Sequence, residues 1–124
     1  MPKFEALNWH DSELLGLSWS CCKSGEDSVF LELDYITSYE PYIATESRRL
    51  CFHDCRKLFV SCDLGIASPE SILEGNIDKG VAFEGFRKVA NKLGIDAETY
   101  KSYSILLRTS GGRIEIVATG WSWV

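Results

Sequence analysis

The stretch that decides the fold is Tyr103–Val124, YSILLRTSGGRIEIVATGWSWV. Two apolar, β-branched runs, Ile105–Leu107 and Ile114–Val117, flank Ser110-Gly111-Gly112, the local signature of a tight turn between antiparallel strands. Taking Gly111 and Gly112 as a two-residue loop opposes Arg108 to Glu115, Leu107 to Ile116, Leu106 to Val117, Ile105 to Ala118 and Tyr103 to Gly120. One face then carries an opposite-charge pair, and the other carries aliphatic pairs and a ring over a glycine. A Ser110-Gly111 loop would set Arg108 against Arg113, and like charges directly opposed are destabilising. Beyond Ala118 the alternation falters at Gly120, an isolated strand glycine of the kind that marks a bulge. Trp121 and Trp123 then share one face, as a lid on the core or as an exposed aromatic patch, with the core favoured for rings of this size.

Upstream of the hairpin, Phe83, Phe86, Val89, Ala90 and Leu93 recur at helical spacing, with Glu84, Arg87, Lys88, Asn91 and Lys92 on the other sides and Gly94 placed as the C-cap. Gly85 inside it subtracts about 1 kcal/mol of helix preference. Asp96–Lys101 links this helix to the hairpin, with room for one helical turn. Ser68 followed by Pro69 reads as an N-cap and first helical residue, and Gly75 as a stop, which predicts a short helix over Pro69–Glu74.

The first half of the chain alternates with the period of strands. Met1–Leu7 reads as a short leader that could pair at a sheet edge, and Asn8–Ser12 as a turn. In Glu13–Cys22, Leu15, Leu17, Trp19 and Cys21 fall on one face and Gly16, Ser18 and Ser20 on the other. A polar turn, Lys23–Asp27, precedes Ser28–Ile36, where Val29, Leu31, Leu33 and Tyr35 point inward. Phe30 and Ile36 share the outer face with Glu32 and Asp34, so that face is expected to be partly covered. Arg48–Asp54 and Lys57–Leu64 also alternate, and the corner at Asp54-Cys55-Arg56 is either a hairpin turn or a bend in one strand. The sum is one domain over residues 1–124 in the α+β class. It has an antiparallel sheet of about five to six strands, sandwich-like or strongly curved, and one or two short helices in the second half.

Composition narrows the functional classes. At 124 residues and 45% hydrophobic content, one core that buries roughly two thirds of the unfolded surface is within reach. Thirteen basic against eighteen acidic side chains give a net charge of −5, with no basic run, so nucleic acid is excluded as a partner and a basic protein surface suits better. No secretory apolar core and no stretch approaching the roughly 18 apolar residues of a membrane span are present, which reads as a cytoplasmic protein. Cys21, Cys22, Cys51, Cys55 and Cys62 are odd in number and two are adjacent, which argues for reduced thiols rather than a disulfide framework.

Three constellations invite a chemical reading. His10-Asp11 and His53-Asp54 are His-Asp dipeptides, but a metal phosphohydrolase needs several further ligands on helices, and the chain has 2 histidines. Cys51, His53, Cys55 and Cys62 lack the two-residue knuckle of a structural zinc site, and packing is the better account of the cysteines. Cys51 and His53 at i and i+2 could make a thiol nucleophile and base, with Asp54 beside them, as a small metal-dependent or thiol enzyme; nothing nearby lowers the thiol pKa recognisably. No catalytic residue, metal or cofactor is therefore assigned. The irregular stretch Thr37–Ser47, TSYEPYIATES, is the place for recognition, since Pro41 keeps it out of a central strand and loops carry contacts. With an ordinary crossover loop as the alternative reading, Tyr39, Glu40, Tyr42, Trp121 and Trp123 compose the candidate partner-binding set, because aromatics dominate interface energetics.

Taken together, WHDSELLGLSW (Trp9–Trp19), LCFHDCRKLFVSCDLG (Leu50–Gly65) and SYSILLRTSGGRIEIVATGWSW (Ser102–Trp123) resemble a group of small uncharacterised bacterial proteins that includes predicted immunity proteins of polymorphic toxin systems. The resemblance spans most of the chain and implies a non-enzymatic cytoplasmic binder that neutralises a toxin domain by direct contact. It supplies no catalytic residues, and carries His10, Asp11 and Ser12 over only as a structural turn.

Overall fold

The computed structural model describes residues 2–21, 26–63, 70–108 and 110–124. After a 3-10 turn at Phe4–Ala6, the chain forms β1 (Glu13–Ser20), β2 (Ser28–Ser38), β3 (Ala44–His53), β4 (Lys57–Ser61) and β5 (Glu70–Ile77). There follow the helix α1 (Val81–Leu93), a 3-10 turn at Ala97–Thr99, β6 (Lys101–Leu107), β7 (Arg113–Ala118) and β8 (Gly120–Trp123). All pairings are antiparallel, in the order β4-β7-β6-β5-β1-β2-β3-β8. The α+β class therefore holds, with eight strands in place of the expected five to six.

Two features account for the difference. The segment expected as a helix over Pro69–Glu74 is strand β5, while Ser68 and Pro69, the cap signal itself, lie outside the described residues, as do Cys22, the first part of the polar turn at Lys23–Gly25, and Leu64. The flanks of β5 explain the change: it pairs with β1 at Glu70 and Ser71 and with β6 from Ile72 to Ile77. Sheet partners on both sides outweigh a local helix preference of a few tenths of a kcal/mol per residue.

The second feature is a shared corner. β3 ends at His53, Asp54 takes φ 49°, and β4 resumes at Lys57. Opposite it, β7 ends at Ala118 and β8 resumes at Gly120. The ladder survives the bend, because Arg56 N–H donates to the Val117 carbonyl (2.8 Å) and Thr119 N–H to the His53 carbonyl (3.0 Å). Residues 48–61 are thus one bent path, and β4 and β8, the two ends of the strand order, are each the continuation of an inner strand. The sheet curls round a common core, the strongly curved form of the expectation.

That core holds Leu31, Leu33, Leu50, Phe52, Ile72, Tyr103, Ile105, Ile114 and Ile116, with Phe4 and Trp9 packed among them. In Met1–Leu7, expected as a leader or edge strand, the 3-10 turn instead drives Phe4 into the interior, 4.9 Å from the rings of Trp9 and Tyr103. Asn8–Ser12 is a turn, and its buried Ser12 Oγ accepts the Ile36 N–H (3.1 Å), which pins it to β2.

Strand β1 departs from simple alternation. A bulge between Leu14 and Gly16 turns Leu15 outward, while Leu14 and Leu17 pack on the core. Trp19 and Cys21, expected on the same face as Leu17, are exposed. Strand β2 follows its pattern: Val29, Leu31, Leu33 and Tyr35 are buried, and the outer face is indeed partly covered, with Ile36 buried and the Arg49 guanidinium 3.9 Å over the Phe30 ring.

The diglycine hairpin forms in another register. Leu106 opposes Arg113, Ile105 opposes Ile114, Tyr103 opposes Ile116 and Lys101 opposes Ala118, and Leu107 N–H donates to the Gly112 carbonyl at 2.8 Å. The expected pairs Arg108–Glu115, Leu107–Ile116, Leu106–Val117, Ile105–Ala118 and Tyr103–Gly120 are absent. The slip by an even number of residues keeps every side chain on its face, so hydrophobic pattern does not discriminate between the two registers. Partners remote in sequence do: Arg108 pairs with Asp11 and its N–H donates to the Ser71 carbonyl (2.8 Å), and Glu115 is buried. Each glycine has its reason. Gly111 takes φ 70°, and a Cβ on Gly112 would collide with the Ser61 backbone of β4.

Helix α1 covers the outer face of β7. Ala82, Phe83, Phe86 and Ala90 pack with Ala97, Tyr100 and Val117, and Gly94 caps it in the left-handed conformation (φ 71°). Val89 and Leu93, expected on the buried stripe, are exposed, because the helix meets the sheet along one narrow line. Asp96 caps the following 3-10 turn, its carboxylate accepting the Glu98 N–H. Among the described residues no helix is long and apolar enough to cross a membrane.

Candidate functional site

Strands β2 and β3, of 11 and 10 residues, pair from Val29–Phe52 to Ser38–Ala44. Burial runs out before the pairing does. Leu50 and Phe52 are in the core, whereas Ala44–Ser47 and the connecting residues Tyr39–Ile43 are exposed or nearly so. At about 3.3 Å per residue the hairpin is longer than the core it lies on, so its end overhangs.

That end is braced. Tyr39 Oη donates to the His10 carbonyl (2.8 Å), Ser38 Oγ to the Glu40 carbonyl (2.7 Å) and Thr37 Oγ1 to the Ala44 carbonyl (3.2 Å). The Glu40–Pro41 peptide is cis. Partial burial, with the Asp11 carboxylate nearby, pushes the Tyr39 phenol up, so it stays a neutral donor. Past this brace Tyr42 is 82% and Ile43 66% exposed, flanked by the exposed carboxylates Glu40 and Glu46.

The two C-terminal tryptophans sit elsewhere. Trp121 lies 5.9 Å from Phe4 and Trp123 4.9 Å from Tyr35, and both are half-buried lids on the core. Trp123 reaches the hairpin stem through Arg48, whose guanidinium stands 5.3 Å over its ring, 5.1 Å over Tyr35 and against Glu46. Tyr39, Glu40 and Tyr42 are thus brought together, Trp123 borders their stem, and Trp121 lies apart over Phe4.

Of the Cys51, His53 and Asp54 set, Cys51 and His53 are in contact and His53 and Asp54 line one cavity. Cys51 Sγ is 3.7 Å from His53 Nδ1, and His53 Nε2 is 2.7 Å from Ser122 Oγ. Cys51 is buried, and burial pushes its thiol up, away from the thiolate a nucleophile needs. Asp54 is engaged by Tyr100 and Arg56 rather than by His53. Its carboxylate accepts from Tyr100 Oη (2.9 Å), and Arg56 Nε donates to that phenol oxygen (2.9 Å). This network fastens the Ala97–Thr99 turn to the sheet corner. Cys55 donates to the Phe52 carbonyl (3.3 Å) and burial drives its thiol up to about 12, whereas Cys21 and Cys62 are exposed.

His10 sits 3.5 Å from Asp11, which pairs with Arg108. Among the described residues no three His, Cys, Asp or Glu side chains gather in a metal-holding group. Sequence reasoning passed over a cleft of about 370 Å³ lined by Trp19, Val29, Cys55 and Leu58; the signal was an outsized ring beside a turn on an otherwise small-residue strand end, Ser18-Trp19-Ser20. No protein-family model, curated protein or solved structure matches this chain.

Proposed function

We propose that this chain is a non-enzymatic cytoplasmic binding protein whose contact surface is the overhanging end of the β2–β3 hairpin. The observation that carries the reading is the exposure of Tyr42 and Ile43 on a braced, regular support. Large apolar side chains already in water bury their area on docking without leaving a core, which suits an anchor residue. Glu40 beside them, with Glu46 paired to Arg48, on a chain of net charge −5, suits a partner with a basic rim around an apolar pocket. The resemblance to predicted immunity proteins supplies the partner class: a toxin domain, neutralised by occlusion. Tyr39 serves as the brace, and Trp123 widens the surface along the stem.

The test is co-expression with the product of the adjacent open reading frame, followed by calorimetry on the purified pair. Tight association that weakens by about 100-fold or more in a Tyr42→Ala, Ile43→Ala double variant, with the thermal midpoint unchanged, supports the reading. Tight association indifferent to that double variant overturns the assignment of the surface. Lack of association with a toxin-like neighbour overturns the partner class.

A further inference from the structure

Strand β4 closes one side of the strand order: β7 pairs with one of its edges, and among the described residues no strand pairs with the other. Edge strands are ordinarily guarded by inward charges, proline or a bulge. From Leu58 to Cys62, LFVSC, the edge carries no charge and no proline, and its register against β7 runs without a bulge. Leu58 is half-buried, whereas Phe59 and Val60, on opposite faces, are 40% and 42% exposed. The opposite edge, β8, is only 4 residues long, and its Trp121 and Trp123 rings pack on the core.

An apolar edge of this kind accepts a further strand, and the residues around β4 are complementary to themselves. Two copies paired antiparallel about a two-fold axis normal to the sheet oppose residues of the same face, so the axis passes through a residue and not between two. With the axis at Val60, Lys57 of one copy opposes Asp63 of the other, Leu58 opposes Cys62, Phe59 opposes Ser61, and Val60 meets its own counterpart. Each dimer then holds two opposite-charge pairs. One face is apolar throughout, and on the other the two Phe59 rings are diagonal neighbours within reach of each other. Moving the axis to Phe59 sets Asp63 against Cys55, and moving it to Ser61 sets Asp63 against Phe59, so charge selects Val60. Lys57 and Asp63 are both exposed, and among the described residues neither has an ion-pair partner in its own chain.

We propose that the free edge of β4 is a homodimerisation surface, on which a second copy of this chain continues the ladder over Lys57–Asp63 with the two-fold axis at Val60. The contact is small for a protein interface, which places the association in the micromolar range. It leaves the tip of the β2–β3 hairpin uninvolved, because that tip belongs to other strands.

Sedimentation equilibrium of the reduced whole chain tests it. The unaltered protein should follow a monomer–dimer equilibrium with a dissociation constant of about 1–100 μM. Lys57→Asp and Asp63→Lys should each weaken it by about tenfold or more, since each sets like charges face to face twice per dimer. An equimolar mixture of those two variants should recover association to within about threefold of the unaltered protein, because both cross-copy pairs then join opposite charges. A variant that had merely lost its fold gives no such recovery. Val60→Lys, which puts like charges on the axis, should leave the chain monomeric. A chain that stays monomeric at about 1 mM overturns the proposal, as does a dimer that survives Val60→Lys or a mixture that associates no more tightly than its components. Association only with the product of the adjacent open reading frame, blocked by Val60→Lys, would give the edge to that partner and overturn it as well.

Discussion

The β2–β3 and β6–β7 hairpins are both antiparallel ladders of alternating residues, and the fold uses them in opposite ways. In β6–β7 both faces are covered: Tyr103, Ile105, Ile114 and Ile116 lie in the core, and Ser102, Ser104, Glu115 and Val117 are buried on the outer side, with Val117 packed against α1. In β2–β3 one end is in the core and the other projects beyond it, with Tyr42 and Ile43 in solvent. A strand pair swallowed on both sides is a structural member. One that outruns its core leaves side chains in solvent, and the stability cost of changing them should reveal which is which.

The largest effect belongs to the swallowed hairpin. Ile105→Ala removes a fully buried side chain opposite Ile114 and should cost about 2–5 kcal/mol in chemical denaturation; a cost under about 1 kcal/mol would break the contrast. Next comes Gly75 on β5, paired with Ile105, where an added Cβ would lie 2.5–2.8 Å from the Trp9 indole. Gly75→Ala should destabilise by about 1–3 kcal/mol through overpacking, measured in the same way.

A smaller, pH-dependent loss should come from the sheet corner and the core. Burial pushes the Cys55 thiol up from 9.0 to about 12 and raises the Tyr103 phenol from 10.0 in the same sense. Both groups keep a proton that the unfolded chain releases. Their contribution is therefore complete below pH 9 and lost as pH climbs from 9 toward 12. Denaturation midpoints should fall across that window, less steeply in Cys55→Ala. Thiol reagents should label Cys21 and Cys62 in the native protein, and Cys51 and Cys55 only in denaturant.

The smallest stability effect is the sharpest test of the comparison. Tyr42→Ala and Ile43→Ala should each shift unfolding by no more than about 0.5 kcal/mol, because the side chains they remove are mostly in water. A loss of about 2 kcal/mol would mean that the tip is a packed element after all.

Much of this architecture was legible in residue order. The amphipathic helix with its Gly94 cap, the inward set Val29, Leu31, Leu33 and Tyr35, and the antiparallel diglycine reversal follow from periods of about 3.6 and 2 that the backbone imposes on any sequence. The irregular stretch expected over Thr37–Ser47 was legible only at its centre, Tyr39–Ile43 around Pro41, since Thr37 and Ser38 end β2 and Ala44–Ser47 begin β3, where pairing between the two strands continues past the core. The Trp19 cleft was not, because its lining comes from three separate strands.

What the residue order determined, then, was the inward set of β2 and where the chain reverses, both matters of local geometry, whereas Leu15, Trp19, Cys21, Val89 and Leu93, read as inward, are exposed. What only the tertiary structure decided was pairing. The hairpin register was set by Asp11 and Ser71, the strand at Glu70–Ile77 by partners on both edges, and the joint corner at Asp54 and Thr119 by two strands bending together. Periodicity is blind to an even slip and to partners far along the chain, whereas hydrogen bonds and ion pairs across the fold depend on both.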